Sequence, residues 1–410
     1  MTTTRVKAPV AEGNRIVTLD VLRGFAVLGI LVMNVQSFSM PGAAYLNPTA
    51  YGDLTGINRW VWILSHYFVE LKFMSIFSIL FGAGILLFAS RIDEKGGRPG
   101  PLHYRRTFWL LVIGMVHAYL FWSGDILVTY ALCALTAYLY RNMKPKKLLI
   151  LGIIIMGVSS ILYLFTSFSM NYMQPEQMEG MMRTWNPGSE FIQQEIAAFR
   201  GGFADQMTAR VPAAIAMQTM VFFIFQGWRA GGLMLVGMAL FKWDVLSGKK
   251  SSGFYVKGLI PCLLTGSALV IFGIHQHFAH GWSLEYSMFA GSQFNYWGSL
   301  FMAYAFICGV ILIYRKNLLE WLTARWAAAG RMAFSNYLGQ TVICTLIFYG
   351  TGLGLFGRVE RWQQILIVFA IWAVQLIVSP LWLRYFYFGP AEWLWRSLTY
   401  WKVQPLVRKK

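Results

Sequence analysis

The chain has 410 residues, of which 57% are hydrophobic and only 13% are charged, and its mean hydropathy is +0.51. These values lie outside the usual range of soluble domains and predict an integral membrane protein. The formal net charge of +18 is explained by basic loops beside anionic lipid, so membrane lipid is the expected partner and nucleic acid is not needed.

Apolar stretches recur along the whole chain, and a helix needs roughly 20 apolar residues to cross a bilayer. We predict about ten helices, which cover 16–39, 60–90, 106–122, 126–140, 148–168, 211–241, 256–274, 296–314, 333–349 and 363–387. The second is long enough for an outer interfacial helix followed by a crossing, and the sixth is expected to bend near Gly227, Gly231 and Gly232. The predicted fold class is all-α, a polytopic helical bundle that forms a single membrane domain over 1–410.

Basic residues fall in alternate connecting segments, starting with Arg5 and Lys7. With both termini on the same side, about 26 of the 35 basic residues collect there, and positively charged loops stay cytoplasmic. The sequence therefore predicts cytoplasmic N- and C-termini.

Two segments outside the predicted crossings are amphipathic or rich in aromatic and basic residues. Residues 169–210 form a Met-rich outer loop with "EFIQQEIAAFRGGF", which predicts an amphipathic helix that is either passive on the membrane surface or a lid. The residues expected on one face of this helix are four apolar ones, Phe191, Ile192, Ile196 and Phe199, and the acidic Glu195. Residues 388–410, with "GPAEWLWRSLTYWK", predict a cytoplasmic interfacial tail anchored by aromatic and basic side chains.

Ionisable residues within a bilayer are costly, so each is a candidate for function. In "LDVLRGFAVLGILVMN", Asp20 and Arg23 share a helix face near the inner surface. Asn34 projects from nearly the same face about 16 Å farther along the axis. A long ligand could therefore contact both Arg23 and Asn34. The alternatives are an interfacial Asp20–Arg23 pair and an Asn34 that bonds a neighbouring helix.

The second polar group lies in "GMVHAYLFWSGDILVTYAL", where one helix runs outward and another returns. His117 is expected about two turns below the outer surface. Asp125 begins the returning helix, where its carboxylate stabilises the helix N-terminus and could reach back to the imidazole. The alternatives are a helix cap for Asp125 and a structural role for His117.

Other polar groups have weaker signals. His66 and Glu70, with Lys72 nearby in "HYFVELKFMSIFSILFGAG", could act as an acid/base pair, although an interfacial pair explains them as well. Asn336 and Gln340 in "GRMAFSNYLGQT" either hold helices together or line a cavity.

A third histidine group lies in "HQHFAHGW", which places His275, His277 and His280 close together. No carboxylate or thiol pattern accompanies these histidines, so we expect no metal site.

Five motifs together resemble the YeiB-like family of bacterial inner-membrane proteins. They are "LDVLRGFAVLGILVMN", "KFMSIFSILFGAG", "GMVHAYLFWSGDIL", "GRMAFSNYLGQTVICTLIFY" and "GPAEWLWRSLTY". The resemblance covers nearly the whole chain in order. It implies a multi-pass protein of the bacterial inner membrane and supplies no activity by itself.

The opening motif resembles, more distantly, the first helix of the transmembrane acyltransferase superfamily. That superfamily includes the acyltransferase-3 enzymes and heparan-α-glucosaminide N-acetyltransferase. In the former an essential His follows the Arg of the "RG" pair, and here the same spacing from Arg23 reaches Asn34, which cannot act as a base. The heparan enzyme also resembles this chain in having Asn at that point, so a base elsewhere is conceivable.

This distant resemblance implies an acyl-CoA, such as acetyl-CoA, as co-substrate and a hydroxyl or amine acceptor at the outer face, on a cell-envelope glycan or a small molecule. His117 is the first choice of general base and His66 the second, with Asp125 orienting the imidazole and Asn34 donating to the oxyanion. The predicted donor-binding residues are Asp20, Arg23, Arg105, Arg106, Asn336 and Gln340.

The alternative function is a transporter or exporter in which His117 and Asp125 carry protons. Glycine-interrupted crossings such as "GWRAGGLMLVG" fit the broken helices of transporters, although we find no repeated half. The oligomeric state stays open.

Overall fold

A computed structural model describes residues 15–408, and every regular element of that part is helical. Arg5, Lys7 and the last two residues of the predicted tail lie outside the described residues. The helices are α1 (Val17–Ser39), α2 (Ala43–Leu46), α3 (Gly56–Phe68), α4 (Lys72–Asp93), α5 (Pro99–Leu120), α6 (Leu127–Ala137), α7 (Pro145–Ser169), α8 (Pro175–Trp185), α9 (Ser189–Arg200), α10 (Phe203–Ala216), α11 (Gly227–Lys242), α12 (Ser252–Ala279), α13 (Ser292–Arg315), α14 (Glu320–Arg331), α15 (Ala333–Phe348), α16 (Arg361–Tyr385) and α17 (Pro390–Tyr400). The all-α prediction is confirmed.

The described part contains seven helical segments that are long and apolar enough to cross a membrane. They are Val17–Ser39, Gly56–Asp93, Pro145–Tyr172, Phe203–Lys242, Ser252–Ala279, Glu285–Arg315 and Arg361–Tyr385. Two shorter apolar helices accompany them, Leu127–Tyr140 and Ala333–Phe348, and α5 adds 22 residues with Arg105 and Arg106 near its start. These elements are those of a helical membrane protein.

The helix ends collect on two faces of the bundle. The indole of Trp395 in α17 donates to the backbone of Arg106 in α5, and Thr18 at the start of α1 donates to Ser247. We call this side, where α1 begins, the basic face. At the other ends of α1 and α5, Ser39 accepts from Gly357 and Leu120 accepts from Arg210. We call that side the opposite face.

Helix α1 lies at the centre and is largely buried against α4, α13, α14, α15 and α16. Its crossing with α14 is so close that a Cβ at Gly24 would collide with the backbone of Trp326, and a Cβ at Gly330 with the backbone of Asp20. Glycine at both positions therefore allows α14 to hold the start of α1, where Asp20 and Arg23 lie.

The second (60–90) and the sixth (211–241) of the predicted crossings have irregular backbone. The second is interrupted between α3 and α4, where Leu71 takes a positive φ of 63°, so the predicted pair of successive helices is confirmed. The sixth contains a π-helical segment, Met217–Gln226, immediately before Gly227. The irregularity lies next to the predicted glycine bend.

The large segment between α7 and α11 folds onto the opposite face. The predicted amphipathic helix is present as α9, with Ile192, Ile196 and Phe199 buried and Phe191 exposed. Phe199 stacks on Phe356 with ring centroids 4.7 Å apart. Helix α9 is thus packed on the protein rather than only on the membrane surface.

Candidate functional site

A cavity of about 370 Å³ lies at the basic face, between α1, α4, α5, α15 and α17. Its outer part is rich in charge. Seven basic side chains line it, namely Arg15, Arg23, Arg91, Lys95, Arg106, Arg331 and Arg396, together with two acidic ones, Asp20 and Glu392. The cavity therefore carries an excess of positive charge that attracts an anionic ligand.

Asp20 organises one side of this outer part. Its two carboxylate oxygens accept from Arg15 at 3.4 Å and from Arg23 at 3.2 Å. The predicted Asp20–Arg23 pair is present, and Arg15 shares it. One carboxylate held between two guanidinium groups leaves a net positive charge at the cavity wall.

Arg106 and Arg396 have aromatic rather than acidic neighbours. The guanidinium of Arg106 lies 4.3 Å from the ring centroid of Trp395, and that of Arg396 lies 4.5 Å from the ring centroid of Phe388. Neither arginine forms an ion pair within residues 15–408. Aromatic rings hold both groups in place without neutralising them, which leaves them available to phosphate oxygens.

Glu392 reaches across from α17 to the start of α15. Its carboxylate accepts from the backbone N–H groups of Phe334 at 2.7 Å and Ser335 at 3.1 Å, and from the hydroxyl of Ser335. Burial raises the pKa of Glu392, and these hydrogen bonds oppose that rise. The carboxylate thus caps the helix that carries Tyr337 and Thr341. The tail segment predicted only as an interfacial anchor is also part of the cavity wall.

The inner part of the cavity is apolar. Its walls include Ile30, Phe77, Leu80, Phe81 and Leu110. The far end is formed by Ile126, Leu127, Tyr130 and Tyr337. The cavity therefore suits a ligand with an anionic head and a long, uncharged arm.

Three buried polar side chains lie directly behind that end. His117 Nδ1 is 2.7 Å from Asp125 Oδ1, and His117 Nε2 is 2.9 Å from Thr341 Oγ1. Asp125 also accepts from the backbone N–H of Val128 at 2.8 Å, so it caps α6 as predicted. Because an ionised carboxylate only accepts, it assigns the proton to Nδ1 and leaves Nε2 as the acceptor for Thr341.

Local structure explains this arrangement. Helix α5 ends at Leu120, three residues after His117, and the turn that follows brings Asp125 back beneath the imidazole. Tyr337 forms the partition with the cavity, since its ring centroid is 5.4 Å from that of His117 and its hydroxyl accepts from the Ile126 N–H at 3.4 Å. The sequence predicted His117 and Asp125 together but gave no signal for Thr341.

Other predicted site residues lie off the cavity wall. Arg105 lies over the ring of Trp401 at 4.6 Å. Asn336 donates to Ala329 and Ser379, and Gln340 donates to Val27 and Gln375. Both amides thus connect α15 to its neighbours, which is the first of the two predicted alternatives.

Asn34 and His66 also do not line the cavity. Asn34 is half-buried and makes no side-chain hydrogen bond within residues 15–408. His66 contacts Glu70 and stacks on Trp62 with ring centroids 4.8 Å apart. The His66–Glu70 pair therefore exists, at the end of α3, and neither residue lines the cavity.

In the third histidine group, His275 is exposed, whereas His277 and His280 pack against aromatic rings. His277 stacks on Trp282 at 4.7 Å and His280 on Tyr286 at 3.8 Å, measured between ring centroids. Among residues 15–408, no three His, Cys, Asp or Glu side chains group in a way that would hold a metal ion.

Comparison with known proteins places the chain in a family. A family profile described as "Protein of unknown function (DUF418)" matches residues 240–402, which include Tyr337, Thr341 and Glu392. The "Uncharacterized protein YxaH" of Bacillus subtilis (strain 168) is 33% identical over 413 residues, which cover 98% of each chain. The "Uncharacterized protein YeiB" of Escherichia coli (strain K12) is 31% identical over 96% of this chain and 99% of its own length. With two relatives this similar over nearly their full lengths, the chain belongs to the YeiB-like family.

Proposed function

We propose that this protein is a membrane-embedded acyltransferase that moves an acyl group from an acyl-CoA, such as acetyl-CoA, to a hydroxyl or amine acceptor. One observation carries the proposal. The cavity has a basic outer part and an apolar inner part, and its inner end is closed by Tyr337 and Ile126, next to the His117–Asp125 pair.

The distance from the basic residues to His117 suits such a donor. Arg106 and His117 lie on the same helix, eleven residues apart, which separates them by about 16 Å along the axis. An acyl-CoA carries its phosphates on a nucleotide head, and a long thin arm connects that head to the thioester. With the phosphates at Arg23, Arg106 and Arg396, the arm follows the apolar wall and the thioester arrives at Tyr337.

The chemistry then needs a base and an oxyanion donor. His117 takes the proton of the attacking hydroxyl or amine through Nε2, and Asp125 stabilises the imidazolium that forms. Asn34 is the predicted oxyanion donor. The hydroxyl of Tyr337 is a second candidate, because it lies at the end of the cavity and can donate while it accepts from Ile126.

The distribution of basic residues also supports an orientation of the protein in the membrane. If the basic face is cytoplasmic, as positively charged loops indicate, the chain crosses the bacterial inner membrane about ten times with both termini inside. The donor then enters from the cytoplasm. His117 and Asp125 lie near the opposite face, so the acceptor is a cell-envelope glycan or a small molecule on the outer side.

A transporter is the second candidate, and the interrupted second crossing favours it. Lys72, fully buried at the interruption between α3 and α4, donates to the carbonyl of His66 and to Asn295, both at 2.6 Å. Broken helices with buried ionisable residues are typical of substrate and proton paths in transporters.

Calorimetric titration of the detergent-purified protein with acetyl-CoA tests the proposal, with Arg105→Ala and Arg106→Ala as a matched pair. The two arginines are neighbours in sequence, but only Arg106 lines the cavity. We expect Arg106→Ala to weaken binding at least tenfold, which corresponds to about 1.4 kcal/mol, and Arg105→Ala to leave it nearly unchanged. A thiol-release assay with His117→Ala then tests for transfer.

The outcomes separate the candidates. Failure of the well-folded wild type to bind acetyl-CoA would refute the acyltransferase proposal. Binding without thiol release, combined with proton-coupled uptake of a solute into liposomes that Lys72→Met abolishes, would support the transporter instead.

A further inference from the structure

The hydroxyl of Thr341 points at the imidazole rather than along its own helix. A threonine within a helix usually donates to the carbonyl four residues earlier. Here that distance, from Thr341 Oγ1 to the carbonyl oxygen of Tyr337, is 3.5 Å, whereas His117 Nε2 lies 2.9 Å away on another helix. The side chain is buried, with 1% of its surface exposed, so the bond to His117 is its main polar contact.

The three side chains therefore form a continuous chain of a carboxylate, an imidazole and a hydroxyl. Asp125 is fixed by the N–H of Val128 and accepts from His117, and His117 accepts from Thr341. An oriented base that accepts from a hydroxyl is the arrangement that activates a nucleophile in covalent catalysis.

We propose that Thr341 is the nucleophile of the transfer and carries the acyl group as a covalent ester between donor and acceptor. This inference rests on the proposed acyltransferase function and adds an intermediate to it. Thr341 lies one helical turn beyond Tyr337, which closes the inner end of the cavity. To reach this hydroxyl from the cavity, the thioester has to pass between Tyr337 and Ile126, which line the inner end.

The steps balance without a further reactant. Thr341 Oγ1 attacks the thioester carbonyl carbon while His117 Nε2 takes the hydroxyl proton. The carbon–sulfur bond breaks, and the sulfur leaves as a thiol with the proton that His117 returns. An acceptor hydroxyl or amine, deprotonated by His117, then attacks the ester, and Thr341 Oγ1 leaves and regains a proton.

The position of His117, Asp125 and Thr341 explains what a covalent ester would achieve. The cavity lies at the basic face, whereas His117 is three residues from the end of α5 at the opposite face. With an ester on Thr341, the donor thiol leaves toward one face before the acceptor arrives from the other. Donor and acceptor then never occupy the site together, which predicts ping-pong kinetics.

The test is acylation of the purified protein by radiolabelled acetyl-CoA without acceptor, followed by denaturation, proteolysis and mass spectrometry, with thiol release measured in parallel. We expect label on the peptide that contains Thr341. The Thr341→Val variant keeps the shape of the side chain and should lose the label and at least a hundredfold of thiol release. The Thr341→Ser variant should keep both in part. The matched control is Thr345→Val, one turn farther on α15, because Thr345 bonds only within its own helix.

Each outcome of this test either supports or overturns the covalent intermediate. Thiol release that depends on His117 but persists within tenfold in Thr341→Val would overturn the covalent step and leave direct transfer, so the proposed function would stand. Absence of both label and thiol release in wild-type protein that binds acetyl-CoA would overturn the covalent step, and failure to bind acetyl-CoA would overturn both. Label on the Thr341 peptide that His117→Ala abolishes would support the inference.

Discussion

Replacing Asp125 by Asn or Ala separates the two roles that the structure gives this residue. Asp125 caps α6 through Val128 and holds the proton of His117 on Nδ1. Ala loses both contacts. The lost cap costs about 1 kcal/mol, and the lost bond between a carboxylate and a buried imidazole costs about 2 kcal/mol. We therefore expect the free energy of unfolding to fall by about 3 kcal/mol in Asp125→Ala.

Asn preserves the cap but not the chemistry. The carboxamide oxygen can still accept from Val128, so the free energy of unfolding should fall by only about 1 kcal/mol. The amide NH₂ group, however, donates to His117 Nδ1 and so favours the tautomer that carries its proton on Nε2. A protonated Nε2 cannot accept from Thr341. Thiol release from acetyl-CoA should then fall by about 10³- to 10⁴-fold.

The assay combines unfolding of the detergent-solubilised variants with thiol release at saturating acetyl-CoA. Asp205→Asn is the control, since Asp205 also begins a helix but caps it from an exposed position through Gly202. The reasoning would be refuted by equal stability of Asp125→Asn and Asp125→Ala, or by thiol release in Asp125→Asn above a tenth of the wild-type rate.

Three further predictions concern stability. Glu392→Ala should lower the free energy of unfolding by about 1–2 kcal/mol because α15 loses its cap, and Glu392→Gln by less. Lys72→Met should cost about 2 kcal/mol because Asn295 and a buried carbonyl lose their donor, and adding Asn295→Leu should cost less than the sum of the single changes. Burial raises the pKa of Glu195, so its contribution to stability is present at acid pH and is lost as pH rises through that raised value. Melting temperatures between about pH 4 and pH 8 should therefore vary less in Glu195→Gln than in wild type.

Matched variants check these expectations. Glu190→Ala removes a surface carboxylate and Lys249→Met removes an exposed lysine, and both should melt like the wild type. Equal melting temperatures for Glu392→Ala and Glu392→Gln would contradict the capping role. Strictly additive costs at Lys72 and Asn295 would show that the two side chains do not interact. A pH profile of Glu195→Gln that matches the wild type would assign the pH dependence to another group.

The sequence predicts most of the helices because a bilayer-spanning helix needs a long apolar run whatever its neighbours are. Helix α14 was missed because "EWLTARWAAAGR" is not apolar enough to be recognised, and its helix is stabilised by packing of Gly330 on α1. The interruption before Lys72 carries no glycine or proline. Leu71 adopts positive φ there, so only the tertiary structure shows where α3 ends.

The site was predictable where its residues are close in sequence. His117 and Asp125 are joined by one turn, and their pairing followed from helix geometry. Thr341 is 224 residues from His117, and an unexceptional threonine gives no signal before the helices are packed. Arg105 and Arg106 look equivalent in sequence, and only the rotation of α5 decides which one lines the cavity.

The asparagine at position 34 is consistent with transfer chemistry once the position of the cavity is considered. In the acyltransferase-3 enzymes, which the first helix resembles, the essential histidine stands on that helix. Here the first helix contributes Arg23 to the outer part of the cavity and Ile30 to its apolar part, and Asn34 is not on the wall. The inner end is formed instead by residues next to Asp125 and Thr341, so a base that serves this cavity has to stand on α5. If the proposed function is correct, the base stands on α5, while the first helix contributes Arg23 to the binding of the donor.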